Sequence, residues 1–148
     1  MKRTFSFALL AGALALGGYW LWIGVASETA DPAAAAAPSQ GDPIVTGIET
    51  PVSLTPTEQM GQTAFNAVCA ACHGDNGGGR QGMGPPFINA IYRPGHHGDM
   101  AFLVAVQNGV RAHHWPFGNM PPQAGLTRAD VGNIVAYVRA LQRTNGIE

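Results

Sequence analysis

The sequence predicts an all-α domain of three or more helices. Three observations predict it. Start signals for helices stand at Thr55, Asp99 and Thr127, two of the stretches they open carry apolar stripes at helical spacing, and no segment reads as a credible strand. Glycine- and proline-rich stretches separate the helices.

The first helix opens on Thr55-Pro56-Thr57-Glu58. Thr55 caps it, Pro56 suits the first helical position, and Glu58 completes a capping box. It runs to about Val68, with Gly61 and Phe65 four apart on one face. The second runs from about Asp99, as cap, to Asn108, and Gly109 ends it. Phe102, Leu103 and Val106 form its stripe, and Met100 reads as core. The third starts at Thr127, with Asp130 three residues on. Val131, Ile134, Val135, Val138 and Leu141 repeat at helical spacing beside Tyr137, and the helix ends near Arg143, where a basic side chain suits a C-terminus.

The first helix delivers Cys69-Ala70-Ala71-Cys72-His73. This C-x-x-C-H pattern is the attachment signal for c-type haem. Two thiols at this spacing can each add across a vinyl group on one porphyrin edge, and the next residue, His73, then ligates the iron through an imidazole nitrogen. Other readings fail on inventory. Cys69 and Cys72 are the only cysteines in 148 residues, whereas a structural zinc site needs roughly four Cys/His ligands. A thioredoxin-like C-x-x-C belongs at a strand-to-helix junction of a βαβ unit, and no such pattern is present. The sequence therefore predicts one covalently bound haem c. The loop from Gly74 to Gly84 is rich enough in glycine to wrap a haem edge closely, and it lacks the G-K-[ST] of a phosphate-binding loop.

The N-terminus supplies the address. Met1-Lys2-Arg3-Thr4 is basic, and the run from Phe5 to Ala26 carries no charge. At about 1.5 Å per residue that run is roughly 33 Å long, enough for a bilayer core of ~30 Å. Tyr19, Trp20 and Trp22 cluster at its outer end, where interfacial aromatics sit. Residues 1–26 are read as a membrane anchor. A cleaved signal peptide is the alternative, with Val25-Ala26-Ser27 as a cleavage signal. Both place the rest of the chain outside a bacterial cytoplasmic membrane: tethered on the periplasmic side, or soluble in the periplasm after cleavage. Residues 27–50, punctuated by Pro32, Pro38 and Pro43 around an alanine run, read as a flexible linker. Residues 51–148 read as one small haem domain, with the haem itself part of the core.

In that domain arginines and carboxylates nearly balance, and Lys2 is the chain's only lysine. This excludes a basic nucleic-acid footprint and a basic docking ring. Partners are expected to dock through local apolar contact.

The ordered set of a capped helix with Gly61 and Phe65, Cys69-Ala70-Ala71-Cys72-His73-Gly74, the loop with Gly84-Pro85-Pro86, the methionine loop Asn119-Met120-Pro121-Pro122, and a last helix with Tyr137 resembles class I cytochrome c over about Leu54 to Asn145. The resemblance implies that the first and last helices cross at Gly61, with Phe65 and Tyr137 packed at the crossing. It implies that Met120 is the sixth iron ligand opposite His73, stiffened by Pro121 and Pro122, and that the Pro85 carbonyl accepts the other N–H of His73. Among competitors for the iron, Met83 lies too close to His73 in the chain, and His96, His97, His113 and His114 would give a bis-His iron. Those two histidine pairs read first as polar loop or haem-edge packing, and as a metal site only if the fold brings the four together. Trp115, Tyr92 and Arg93 are candidates for the haem propionates.

A His/Met-ligated iron has no open position, so the resemblance implies an electron carrier rather than an enzyme, working between membrane-bound or periplasmic redox enzymes of a respiratory or related chain. The alternatives are a fixed cytochrome subunit of a larger oxidoreductase complex, and a haem enzyme or gas sensor with an open iron. The even charge balance makes a kinetic prediction. Electron-transfer rates with the physiological partner will change little between low and high ionic strength, measured by stopped flow; a steep fall with salt would contradict the apolar docking expected here.

Overall fold

The computed structural model describes residues 37–148. The charge-free run at 5–26 and the first part of the expected linker lie outside the described residues. Among the described residues no helix is long and apolar enough to cross a membrane.

The domain is all-α. Helix α1 spans Pro56–Val68, a single turn α2 spans Ala70–His73, α3 spans Asp99–Asn108, and α4 spans Arg128–Thr144. Two 3-10 turns, Asp75–Gly77 and Ala90–Tyr92, punctuate the loops between α2 and α3. Extended pairing among the described residues is confined to isolated bridges, Pro43 with Arg80, Arg80 with Gly84, and Val110 with Met120.

Both long helices start at capping boxes. Thr55 Oγ1 accepts from the Glu58 N–H while the Glu58 carboxylate accepts from the Thr55 N–H at 2.8 Å. Thr127 and Asp130 repeat the arrangement at the start of α4. The hydrogen bonds from Thr55, acting against some desolvation, hold the Glu58 carboxyl below its usual range.

α3 departs from the expectation. Its cap is Gly98, which contributes no side-chain bond, and Asp99 is the first helical residue. The Asp99 carboxylate is drawn instead to Arg139 on α4, 2.9 Å away. Met100, expected in the core, is 60% exposed. α3 is apolar on most sides, so spacing alone does not choose its inner face. Leu103 and Val106 are the residues it buries, against Val131 and Val135 of α4.

The main core lies where α1 crosses α4. Gly61 sits against the backbone of Asn133, and a Cβ at position 61 would run into that carbonyl. With the backbones this close, Phe65 and Tyr137 meet edge to face, ring centroids 5.6 Å apart, both almost wholly buried. Val138, Leu141 and Ile134 complete this cluster.

The segment just before α1 is attached to the domain. Gly41 N–H donates to Gln81 O and Gln81 N–H to Asp42 O, both at 2.8 Å. Val45 N–H donates to Gly78 O, and Ile48 packs on the main core. Asn145, just past α4, holds Glu49 through a pair of bonds, accepting at 3.0 Å and donating at 2.8 Å. Of the stretch expected as linker, residues 41–49 thus form a strap over the glycine loop and the end of α4.

The crossing makes a prediction. Ala is the better helix former, yet Gly61→Ala places a methyl group against backbone that cannot rotate away. The variant will lose about 1–3 kcal/mol of stability, read from urea unfolding monitored by circular dichroism. An unchanged or raised midpoint would show that the helices can separate freely.

Candidate functional site

α1 ends at Cys69, whose N–H donates to Phe65 O at 2.7 Å. The single turn α2 then carries Cys72 and His73. No disulfide joins the two cysteines, Cys69 half-buried and Cys72 exposed. Burial, with Cys72 beside it, pushes the Cys69 thiol up to about 11. A disulfide oxidoreductase needs the reverse, a thiol shifted down toward the thiolate.

His73 is only 8% exposed. Its Nδ1 lies 3.0 Å from the Pro85 carbonyl oxygen. A carbonyl only accepts, so Nδ1 carries the proton and Nε2 keeps a free lone pair. Burial holds the His73 pKa below the usual histidine value, while the bond to Pro85 pulls the other way. Phe87 stacks on the imidazole at 4.3 Å and 19°. The same ring meets Phe65, Tyr92 and Phe102, which ties the histidine to the main core.

The glycine loop makes this possible. Gly79 has φ 77°, and its N–H donates to His73 O at 2.6 Å. A Cβ there would fall 2.6 Å from Pro86 N, so the chain can return to present Pro85 only if residue 79 has no side chain. Tyr137 secures the loop from the other side, donating to Asn76 Oδ1 at 2.9 Å.

Met120 closes a separate loop. Val110 and Met120 exchange both backbone hydrogen bonds, at 2.9 and 3.0 Å, and Ala112 N–H donates to Asn119 Oδ1. Met120 is partly buried beside the cluster of Leu103, Val106, Val131 and Val135. Of the other methionines, Met83 and Met100 are exposed. Trp115 stacks on Phe117 at 5.6 Å, Arg93 bonds the Ala90 carbonyl, and burial pushes the Tyr92 phenol up to about 12. The histidine pairs 96–97 and 113–114 come together, with His96 and His114 ring centroids 5.6 Å apart.

Two residues of this frame do not stand out in the sequence. Arg139 is buried in α4. It donates to Asp99 Oδ1 at 2.9 Å, to Tyr92 O and His97 O at 2.6 Å, and to Gln142 Oε1. Gln142, 1% exposed, donates to Phe87 O and Tyr92 O. Together they hold residues 87–97 against α4. A signal for them exists: each lies four residues after an apolar position of the stripe, Val135 and Val138, where a polar residue facing inward must find polar partners.

A family model described as Cytochrome c matches residues 58–142, more than half of the chain. The chain belongs to the cytochrome c family. A curated relative, the cbb3-type cytochrome c oxidase subunit CcoP of Cereibacter sphaeroides, is 39% identical over 83 residues, which cover 55% of this chain and 26% of that protein. No solved structure matches the chain.

As a cytochrome c the protein carries covalently bound haem c, and its chemistry is haem-based electron transfer. The residues present fit the cofactor. Cys69 precedes the turn that ends in His73 and Cys72 lies within it, and the imidazole has one nitrogen available to hold an iron while the other is engaged. Arg80 Nε and Trp115 Nε1 are buried donors with no protein acceptor, which carboxylate groups such as propionates can satisfy.

The Arg139 hub yields a prediction. Its ion pair is lopsided, with Arg139 at 9% and Asp99 at 70% side-chain exposure, so solvent screens the pair and the carbonyl bonds carry most of the effect. Arg139→Met will cost about 2–4 kcal/mol, because it leaves the His97 carbonyl and the Gln142 Oε1 unpaired and takes one of two donors from the Tyr92 carbonyl. Asp99→Asn will cost less than ~1 kcal/mol. Chemical denaturation of both variants checks the ranking, and equal losses would return the weight to the ion pair.

Proposed function

We propose that the chain is a monohaem electron carrier in which Cys69 and Cys72 form the thioether links, His73 Nε2 is one axial ligand and Met120 sulfur the other. When bound, the haem supplies a one-electron iron couple whose potential a methionine ligand raises. The protein's part is ligation, burial and orientation. The single observation that carries the reading is the buried His73, proton fixed on Nδ1 by the Pro85 carbonyl, directly after two cysteines that no disulfide joins. That bond holds the ring in one orientation and makes Nε2 the better donor.

The choice of Met120 is supported by its loop. The exchange with Val110 fixes its backbone, and Gln123 holds the next turn by donating to Pro121 O at 2.8 Å. Little rearrangement is then needed on a change of oxidation state, which favours fast transfer over chemistry at an open iron.

Residues 1–26 are proposed as a membrane anchor that leaves the haem domain on the periplasmic side, with membrane-bound or periplasmic redox enzymes of a respiratory or related chain as partners. Likeness to an oxidase subunit favours one second reading, a fixed relay within a larger oxidase complex. Co-purification of the full chain with a membrane oxidase in stoichiometric amount would select the relay, and recovery alone would select the carrier.

The ligand set is tested by optical spectra of the haem-loaded protein and its Met120→Ala variant, each with and without carbon monoxide. The parent is expected to show a red Met–Fe(III) charge-transfer band and to ignore carbon monoxide. The variant will lose the band and bind the gas. Carbon monoxide binding by the parent would overturn the closed iron and the carrier reading with it.

A further inference from the structure

We propose that His96, His97 and His114 form a second metal site, distinct from the haem iron, that takes a divalent late transition-metal ion of the copper(II) or zinc(II) kind. Four of the chain's five histidines lie in the two pairs 96–97 and 113–114. They are far apart in sequence, and the fold gathers them. One ligating nitrogen from each of His96, His97 and His114 lies within 4.8 Å of the other two. The ring centroids stand 4.7 Å apart for His96 and His97, 5.3 Å for His97 and His114, and 5.6 Å for His96 and His114. Metal–nitrogen bonds of about 2.0–2.1 Å put ligating atoms roughly 3.4 Å apart. Small side-chain rotations of the exposed His96 and His114 close that gap.

The least exposed member is already oriented for the task. His97 Nδ1 lies 2.7 Å from the Ile91 carbonyl oxygen. The carbonyl can only accept, so the proton sits on Nδ1 and Nε2 holds the lone pair. A metal-ligating histidine is set in the same way, by its other nitrogen on a carbonyl. His113 is held likewise, Nδ1 at 2.8 Å from Arg111 O, with its ring 4.3 Å from that of His114. It stands next to the three as a potential fourth donor.

The backbones beneath the rings are fixed on both sides. The N–H groups of His96 and His97 donate to Arg93 O, and the His97 carbonyl accepts from Arg139. His113 and His114 sit in the loop closed by the Val110–Met120 exchange. Packing does not account for the gathering, because His96, His113 and His114 are exposed and bury little apolar surface. Nor does charge pairing, since the group contains no carboxylate. An imidazole-only donor set suits copper, zinc or nickel and rejects calcium and magnesium. A bound ion would clip residues 96–97 to the loop that ends in Met120.

The test uses the haem-loaded, oxidised protein after chelator treatment, titrated with zinc chloride and with copper sulfate by calorimetry. One ion per chain is expected, copper binding tighter than zinc, with a nitrogen-rich copper(II) signal in electron paramagnetic resonance. His96→Ala and His114→Ala, both at exposed positions, will each weaken zinc binding by at least ~10-fold, with the haem absorption bands unchanged. Binding that does not saturate, or that is equal in the parent and in the double variant, would overturn the site, whatever the iron's own ligands prove to be.

Discussion

The described domain depends on one close contact, the backbone of Gly61 against the backbone of Asn133. A side chain there would hold α1 and α4 apart. Because they touch, Phe65 and Tyr137 share one buried volume, and each extends the contact outward. Phe65 reaches Phe87, whose ring lies on the His73 imidazole. Tyr137 reaches Asn76, which pins the glycine loop that turns back to Pro85. The orientation of the His73 imidazole thus derives from helix packing through two aromatic side chains.

The features legible in the sequence are local ones. Capping boxes declare themselves over four residues, and Thr55 with Glu58 and Thr127 with Asp130 both form. Cys69-Ala70-Ala71-Cys72-His73 is equally local, because the chemistry of attachment requires that spacing. The features hidden from it rest on distant partners. Asp99 has every mark of a cap, yet Arg139 offers it a partner forty residues on and Gly98 takes the cap. Met100 lies in an apolar stretch whose inner face is selected by α4, not by its own spacing. The histidine pairs read first as loop residues, because only the tertiary fold sets them side by side.

Arg139 and Gln142 show a second way in which this small domain is organised. Packing of the apolar side chains of a loop still leaves its backbone carbonyls to be paired. Here two polar side chains on the inner face of α4 collect the carbonyls of Phe87, Tyr92 and His97. These bonds pair carbonyls that would otherwise be desolvated without a partner, Tyr92 O accepting two of them, so the loop between α2 and α3 is fixed by direction as much as by contact.

The strap of residues 41–49 changes the reach of whatever lies before it. Fully extended, a chain gains at most ~3.3–3.6 Å per residue. The nine or so residues pressed on Gly78, Gly79, Gln81 and Asn145 are withdrawn from any leash, shortening its span by roughly 30 Å. Tension on the leash would arrive first at Gly41 and Asp42, and would peel the strap from the glycine loop before it strained the crossing of α1 and α4. A strap so placed would take up such a pull before it reached His73.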